Sequence, residues 1–180
     1  MCVIGTHAKH ILNMNESVSI RPYDPSQRPV NRQVVCAAVA YDDTQAGQVY
    51  IIIINQAIYV PGMTNNLLCP MQMRLNDVEV NKCLKFLTEN PTEKTHAIVT
   101  KQNTTDDDMI IPLSLHGVTS YFTTRAPTDE ELNGCPRITL TAEQLIWNPH
   151  SKEFAKQEEA TMRYDGAVNT RRDRTTRFIY

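Results

Sequence analysis

The stretch QVYIIIINQAIYVPGMTNNLLCPMQMRL, residues 48–75, sets four consecutive isoleucines ahead of a Pro-Gly step. β-Branching at every one of positions 51–54 restricts χ1 in a way that suits a pleated strand better than a helix. A run that is apolar throughout, yet too short to cross a membrane as a helix, belongs to a strand buried on both faces. Pro61 and Gly62 end it, because proline offers no ladder donor and the pair favours a turn. After the turn, Asn65 or Asn66 is placed to cap a short helix, with Leu67, Leu68, Met71 and Leu75 at helical spacing toward the core.

Working outward, the segment QVVCAAVAY lies just upstream, joined to the isoleucine strand by DDTQAG, residues 42–47. Asp and Gly supply turn chemistry between two β-rich runs, so the pair reads as a long hairpin with Gln45, Ala46 and Gly47 at its tip. Further upstream, RPYDPSQRPVN places three prolines between positions 22 and 29, which marks a loop. The first segment, CVIGTHAKHILNM, fits strand or helix equally. Downstream, VEVNKCLKFL, THAIVTKQ and DDDMIIPLSL each predict a strand. Thr128 followed by Glu131 has the spacing of a capping box at a helical turn. Trp147 reads as an anchor for the last extended segment.

The chain has 180 residues, 41% of them hydrophobic, and a formal net charge of −2. That is enough for one domain-sized core and a tail. Neither a membrane span nor a signal peptide is visible, which predicts an intracellular, cytoplasmic protein without membrane contact. The five cysteines are scattered and never spaced as C-x-x-C, so neither a disulfide framework nor a zinc knuckle is indicated. His7 and His10 lack a companion ligand, and the carboxylates of Asp106, Asp107 and Asp108 read as a solvated hairpin tip, so no metal and no cofactor are expected. Residues 1–150 carry 11 Lys and Arg against 15 Asp and Glu, whereas residues 151–180 carry 7 against 5. Within that basic tail, Arg171, Arg172, Arg174 and Arg177 are the candidates for a weak nucleic-acid contact, diluted by Asp173.

Motifs for serine hydrolase, phosphate-loop and zinc-protease chemistry are absent. The hairpin, the buried strand and YVPGMTNNLLCPMQMRL instead resemble the retropepsin-type aspartic protease segment of copia-type retrotransposon polyproteins, which carries a VPG and NLL pattern. CVIGTHAKHIL, IPLSLHGVTSYFTTRAPTDEEL and CPRITLTAEQLIWNP follow the same order, so the likeness covers about residues 2–150. It implies a mainly β fold: a retropepsin-like (acid-protease) β-barrel half with one short helix, then a poorly ordered or helical C-terminal tail. The expected division is 1–125 for the β domain, 126–150 for an extended segment packing on it, and 151–180 for the polar, basic tail.

Family members pair two Asp-Thr/Ser-Gly loops, one per subunit, whose carboxylates share a proton and activate water. In them the loop immediately precedes the segment resembling CVIG. This chain contains no Asp-Thr-Gly or Asp-Ser-Gly, so no catalytic residue carries over; Asp24, Asp42 and Asp43 read as turn formers. The resemblance carries Gln45, Ala46 and Gly47 over as a flap-like tip and Leu67 and Leu68 as core support after the turn. It implies a retroelement-derived protease-like domain, inactive as it stands, that would process a Gag-Pol-type polyprotein when intact. The alternative is a non-enzymatic β module binding a protein or nucleic-acid partner. An unpaired sheet edge, left where the first family strand is missing, predicts a homodimer or other self-association.

Overall fold

A computed structural model describes residues 1–21, 26–101 and 108–143, together with Lys152, Glu153, Lys156 and Glu159. It divides into a unit Met1–Gln144 and a unit Leu145–Tyr180. In the second unit the four described residues are helical and solvent-exposed. Trp147, the tail arginines and Asp24 lie outside the described residues, as do Asp106 and Asp107.

The first unit is mainly β. Its principal sheet contains β1 (Val3–Ile4), β2 (Lys9–Ile20), β3 (Val30–Asp43) and β4 (Gln48–Tyr59) in the order β1-β4-β3-β2, with β10 (Arg137–Thr139) also on β4. β5 (Glu79–Asn81), β6 (Ala97–Lys101) and β7 (Asp108–Pro112) form a second sheet, and β8 (Ser114–His116) with β9 (Thr119–Tyr121) a third. A short helix α1 (Pro70–Arg74), a 3-10 turn at Lys85–Leu87 and a second short helix α2 (Asp129–Gly134) complete it. The sheets are open among the described residues, so the barrel expected from the sequence is reduced here to the coarser mainly β architecture.

The isoleucine strand is the centre. β3 pairs antiparallel with β4 along its length, from Asp43 opposite Gln48 to Val34 opposite Ile58. The other side of β4 is shared by two parallel strands, β1 at Ile58 and Tyr59 and β10 at residues 51–53. Ile52 and Ile54 enter the main core with Val39, Met73 and Ile98, while Ile51 and Ile53 enter a second core with Cys36, Ala38 and Ala40. The run is therefore apolar at every position because each face meets its own core.

Four expectations need correction. β10 is an integral strand, so the segment after residue 125 is part of the domain, and the boundary falls at 144/145. The helix starts later than the asparagines: residues 63–69 precede it without helical structure and bridge to β1 at one point, where Val3 and Leu67 exchange N–H···O bonds of 2.8 Å each way. Pro70 then opens α1 behind the N-cap Cys69, a position proline tolerates because its missing N–H is unpaired there anyway. Leu67 and Met71 consequently stay exposed, at 55% and 40%, and the helix buries Gln72 and Met73 in their place. Leu67 is thus no core support, whereas Leu68 does pack against the main core. Finally, β1 and β2 are the two end strands of the principal sheet, and because β1 is bridged to Leu67 on its outer side, the edge left uncovered among the described residues is β2 and not one beside a missing first family strand.

Candidate functional site

The strand Cys2–Ile4 lies between β4 on one side and residues 63–67 on the other, hydrogen-bonded to both. Gly5 follows it, donating its N–H to Asn66 Oδ1 at 3.0 Å. A Cβ on Gly5 would sit 2.1 Å from the Met63 carbonyl oxygen, so only glycine allows this approach. Behind the strand, Gln72 Oε1 accepts from the Cys2 N–H at 2.8 Å, and Gln72 Nε2 donates to the Gln56 carbonyl at 3.2 Å and the Asn55 carbonyl at 3.5 Å. Asn55 in turn exchanges three bonds with Thr141. Gln56 holds φ at 50°, a left-handed conformation rare for a side chain of this kind. Among the described residues, no buried side-chain nitrogen or oxygen lacks a partner.

In front of this frame is a groove of about 810 Å³. Its floor is aliphatic, from Val39, Ile54, Met73, Val80, Ile98 and Leu113; one wall comes from residues 64–68 and the other from β9 and the chain after it. β9 belongs to a tight hairpin turning at Gly117, whose φ of 59° suits a two-residue turn. His96 fastens that hairpin: it is buried, holds φ at 55°, and its Nε2 lies 2.9 Å from Ser120 Oγ, while its carbonyl accepts from Leu113 N–H at 2.9 Å. The groove rim is apolar and exposed at Leu67, Val118 and Tyr121, the second of these at 99%. Among the described residues, no Asp or Glu lines it.

No family model, curated protein or solved structure matches this chain.

The hairpin tip of the sequence reading, Gln45, Ala46 and Gly47, is exposed at the β3–β4 turn, away from the residues that line the groove. Asp43 Oδ1 accepts the N–H groups of Gln45 and Ala46 at 2.9 and 3.1 Å, and Gly47 takes φ 64°. These are turn-forming roles. Of the other two carry-over residues, Leu67 and Leu68 both line the groove. Asp42 is committed elsewhere: its carboxylate takes Arg125 Nε and Nη2 at 2.9 and 2.8 Å, and Arg125 also grips Glu131. Glu131 closes the capping box with Thr128, as the spacing predicted. Arg125 and the Thr128 N–H together hold the Glu131 carboxyl down to about 2. Lys94 and Lys101 hold Asp108 down to about 2 in the same way.

Cys2 is fully buried, and burial pushes its thiol up to about 11, which makes it a poor nucleophile. Among the described residues, no three His, Cys, Asp or Glu side chains converge as metal ligands, and no helix is long and apolar enough to cross a membrane. The groove residues Lys82, His116 and Ser120 escaped the sequence reading. His116 and Ser120 share the β8–β9 hairpin, and only the fold brings Lys82 beside them.

Proposed function

We propose that this chain is a non-enzymatic β module that binds an extended peptide in the groove, on a frame of retropepsin descent. The observation that supports this is the groove itself: an aliphatic floor, walls of hydroxyl and amide groups, an exposed apolar rim and no carboxylate among the described residues. Acid-protease chemistry requires two facing carboxylates at the bottom of a cleft, and the described residues of this cleft supply none. An extended peptide meets what it needs there. β9 is paired only with β8 among the described residues, so its outer side is free to take a peptide strand, with the floor receiving alternate side chains.

The test is fluorescence anisotropy with labelled octapeptides carrying apolar residues at alternate positions, run beside a peptidase assay at mildly acid pH. Saturable binding without cleavage supports the reading. Pepstatin-sensitive cleavage would replace it with the protease, and absence of binding would remove it.

A second reading, self-association, rests on β2. This twelve-residue strand ends the sheet, and Ile11 and Leu12 are 48% and 61% exposed on it. Long uncovered edges template pairing with another chain. Sedimentation velocity tests it: a dimer that Leu12→Lys dissociates supports edge pairing, and a monomer at every concentration rules it out.

A further inference from the structure

Twenty of the 180 residues are acidic, yet among the described residues the groove lining contains no acid and does contain Lys82, His7 and His116. We infer that the groove selects an acidic peptide, one whose carboxylates meet the Lys82 rim while its apolar side chains enter the aliphatic floor. This inference rests on the peptide-binding reading and names the class of peptide.

Lys82 is the centre of the argument. It is exposed directly after β5, and it takes part in none of the ion pairs among described residues, which engage Lys9, Lys94, Lys101 and Arg125. A lysine on an apolar rim without an internal partner is available to an incoming anion, and a neighbouring low-dielectric floor strengthens that attraction relative to open water. No described acid in the lining opposes an incoming carboxylate. The remaining wall groups, including Thr119, Ser120 and Asn65, offer N–H and O–H donors that suit carboxylates and peptide carbonyls alike.

Nucleic acid is disfavoured by the same inventory. Single-strand binders line a basic track with successive aromatic platforms, whereas the described lining of this groove has one lysine, a floor of Val, Ile, Leu and Met, and two neighbouring aromatic rings, Tyr121 and Phe122, the second of which packs against the core.

The experiment uses the full chain and three fluorescein-labelled octapeptides in which Leu alternates with Glu, with Gln or with Lys. The Glu peptide is expected to bind about fivefold tighter than its Gln twin, an advantage that added salt erodes. Lys82→Glu should abolish that preference and turn it toward the Lys peptide. Val118→Asp, at a side chain 99% exposed and so without consequence for folding, should weaken the Glu peptide most. Equal binding of the Glu and Gln peptides, reduced alike by Val118→Asp, would overturn the acidic preference and leave peptide binding standing. Binding that neither variant alters would place the peptide elsewhere and overturn both, as would no binding of any peptide. Displacement of the Glu peptide by a single-stranded oligonucleotide at lower concentration than by unlabelled peptide would reassign the groove to nucleic acid.

Discussion

Replacing Gln72 by methionine probes the buried network that ties β1 to the rest of the domain. The side chain is 4% exposed and makes three hydrogen bonds, to Cys2 N–H and to the Gln56 and Asn55 carbonyls. Methionine matches its length and supplies none of them. The Asn55 carbonyl keeps its bond from Thr141 Oγ1, but the Cys2 N–H and the Gln56 carbonyl lose theirs. Each orphaned buried group costs about 1–3 kcal/mol, which gives about 2–6 kcal/mol for the two. Burying a thioether where an amide stood offsets about 1 kcal/mol of this. The expected net loss is about 3 kcal/mol, or a melting temperature lower by about 6–12 °C for a domain of this size. Urea unfolding followed by far-ultraviolet circular dichroism measures it, with the slope of the transition checked for constancy. The neighbouring Met71→Gln, at a side chain 40% exposed, should stay within about 0.5 kcal/mol of the parent. A Gln72→Met protein as stable as Met71→Gln, with an unchanged slope, would refute the view that these bonds hold the strand.

Gly5→Ala forces a Cβ to within 2.1 Å of the Met63 carbonyl oxygen, so it should destabilise by about 3 kcal/mol or more, read as loss of soluble protein or of the cooperative thermal transition. Glu131 and Asp108 have folded-state pKa values below their ordinary ones. Each therefore contributes stability that is complete above the ordinary carboxylate range and lost as pH falls through about 2. Glu131→Gln should accordingly flatten the acid limb of the stability curve, and an unchanged limb would remove Glu131 from the account. Ellman's reagent on the native chain should label Cys83 first, because it is exposed while Cys2 and Cys36 are buried with raised thiol pKa values; mass spectrometry of the first labelled peptide decides the order.

The hairpin and the doubly buried strand were legible because they are written in local terms: β-branching, period and turn chemistry between residues 33 and 60. The capping box at Thr128 and Glu131 was legible for the same reason. What stayed hidden depends on distant partners. Nothing near Arg137 announces that residues 137–139 pair in parallel with residues 51–53, because a three-residue strand has no period of its own. Nothing local singles out Gln72 as a core residue, and only the strand arriving at Cys2 explains its burial. The helix face was misjudged because the two leucines precede Pro70 and belong to the non-helical segment pinned by Val3. Of the groove, sequence supplied Leu67 and Leu68 under another role, while Lys82 and His116 carry no motif.

The shared side of β4 also sets an order of events during synthesis. The strand is complete at residue 59, but on its second side Ile51, Ile52 and Ile53 are paired only by residues 137–139. At typical elongation rates of 5–20 residues per second, those positions are made about 4–16 s apart. Throughout that interval the backbone of the isoleucine run lacks β10, with some of the most β-prone sequence in the chain beside it. A product cut anywhere between residues 60 and 136 lacks β10 permanently and leaves that side of the isoleucine run open to pairing with another chain.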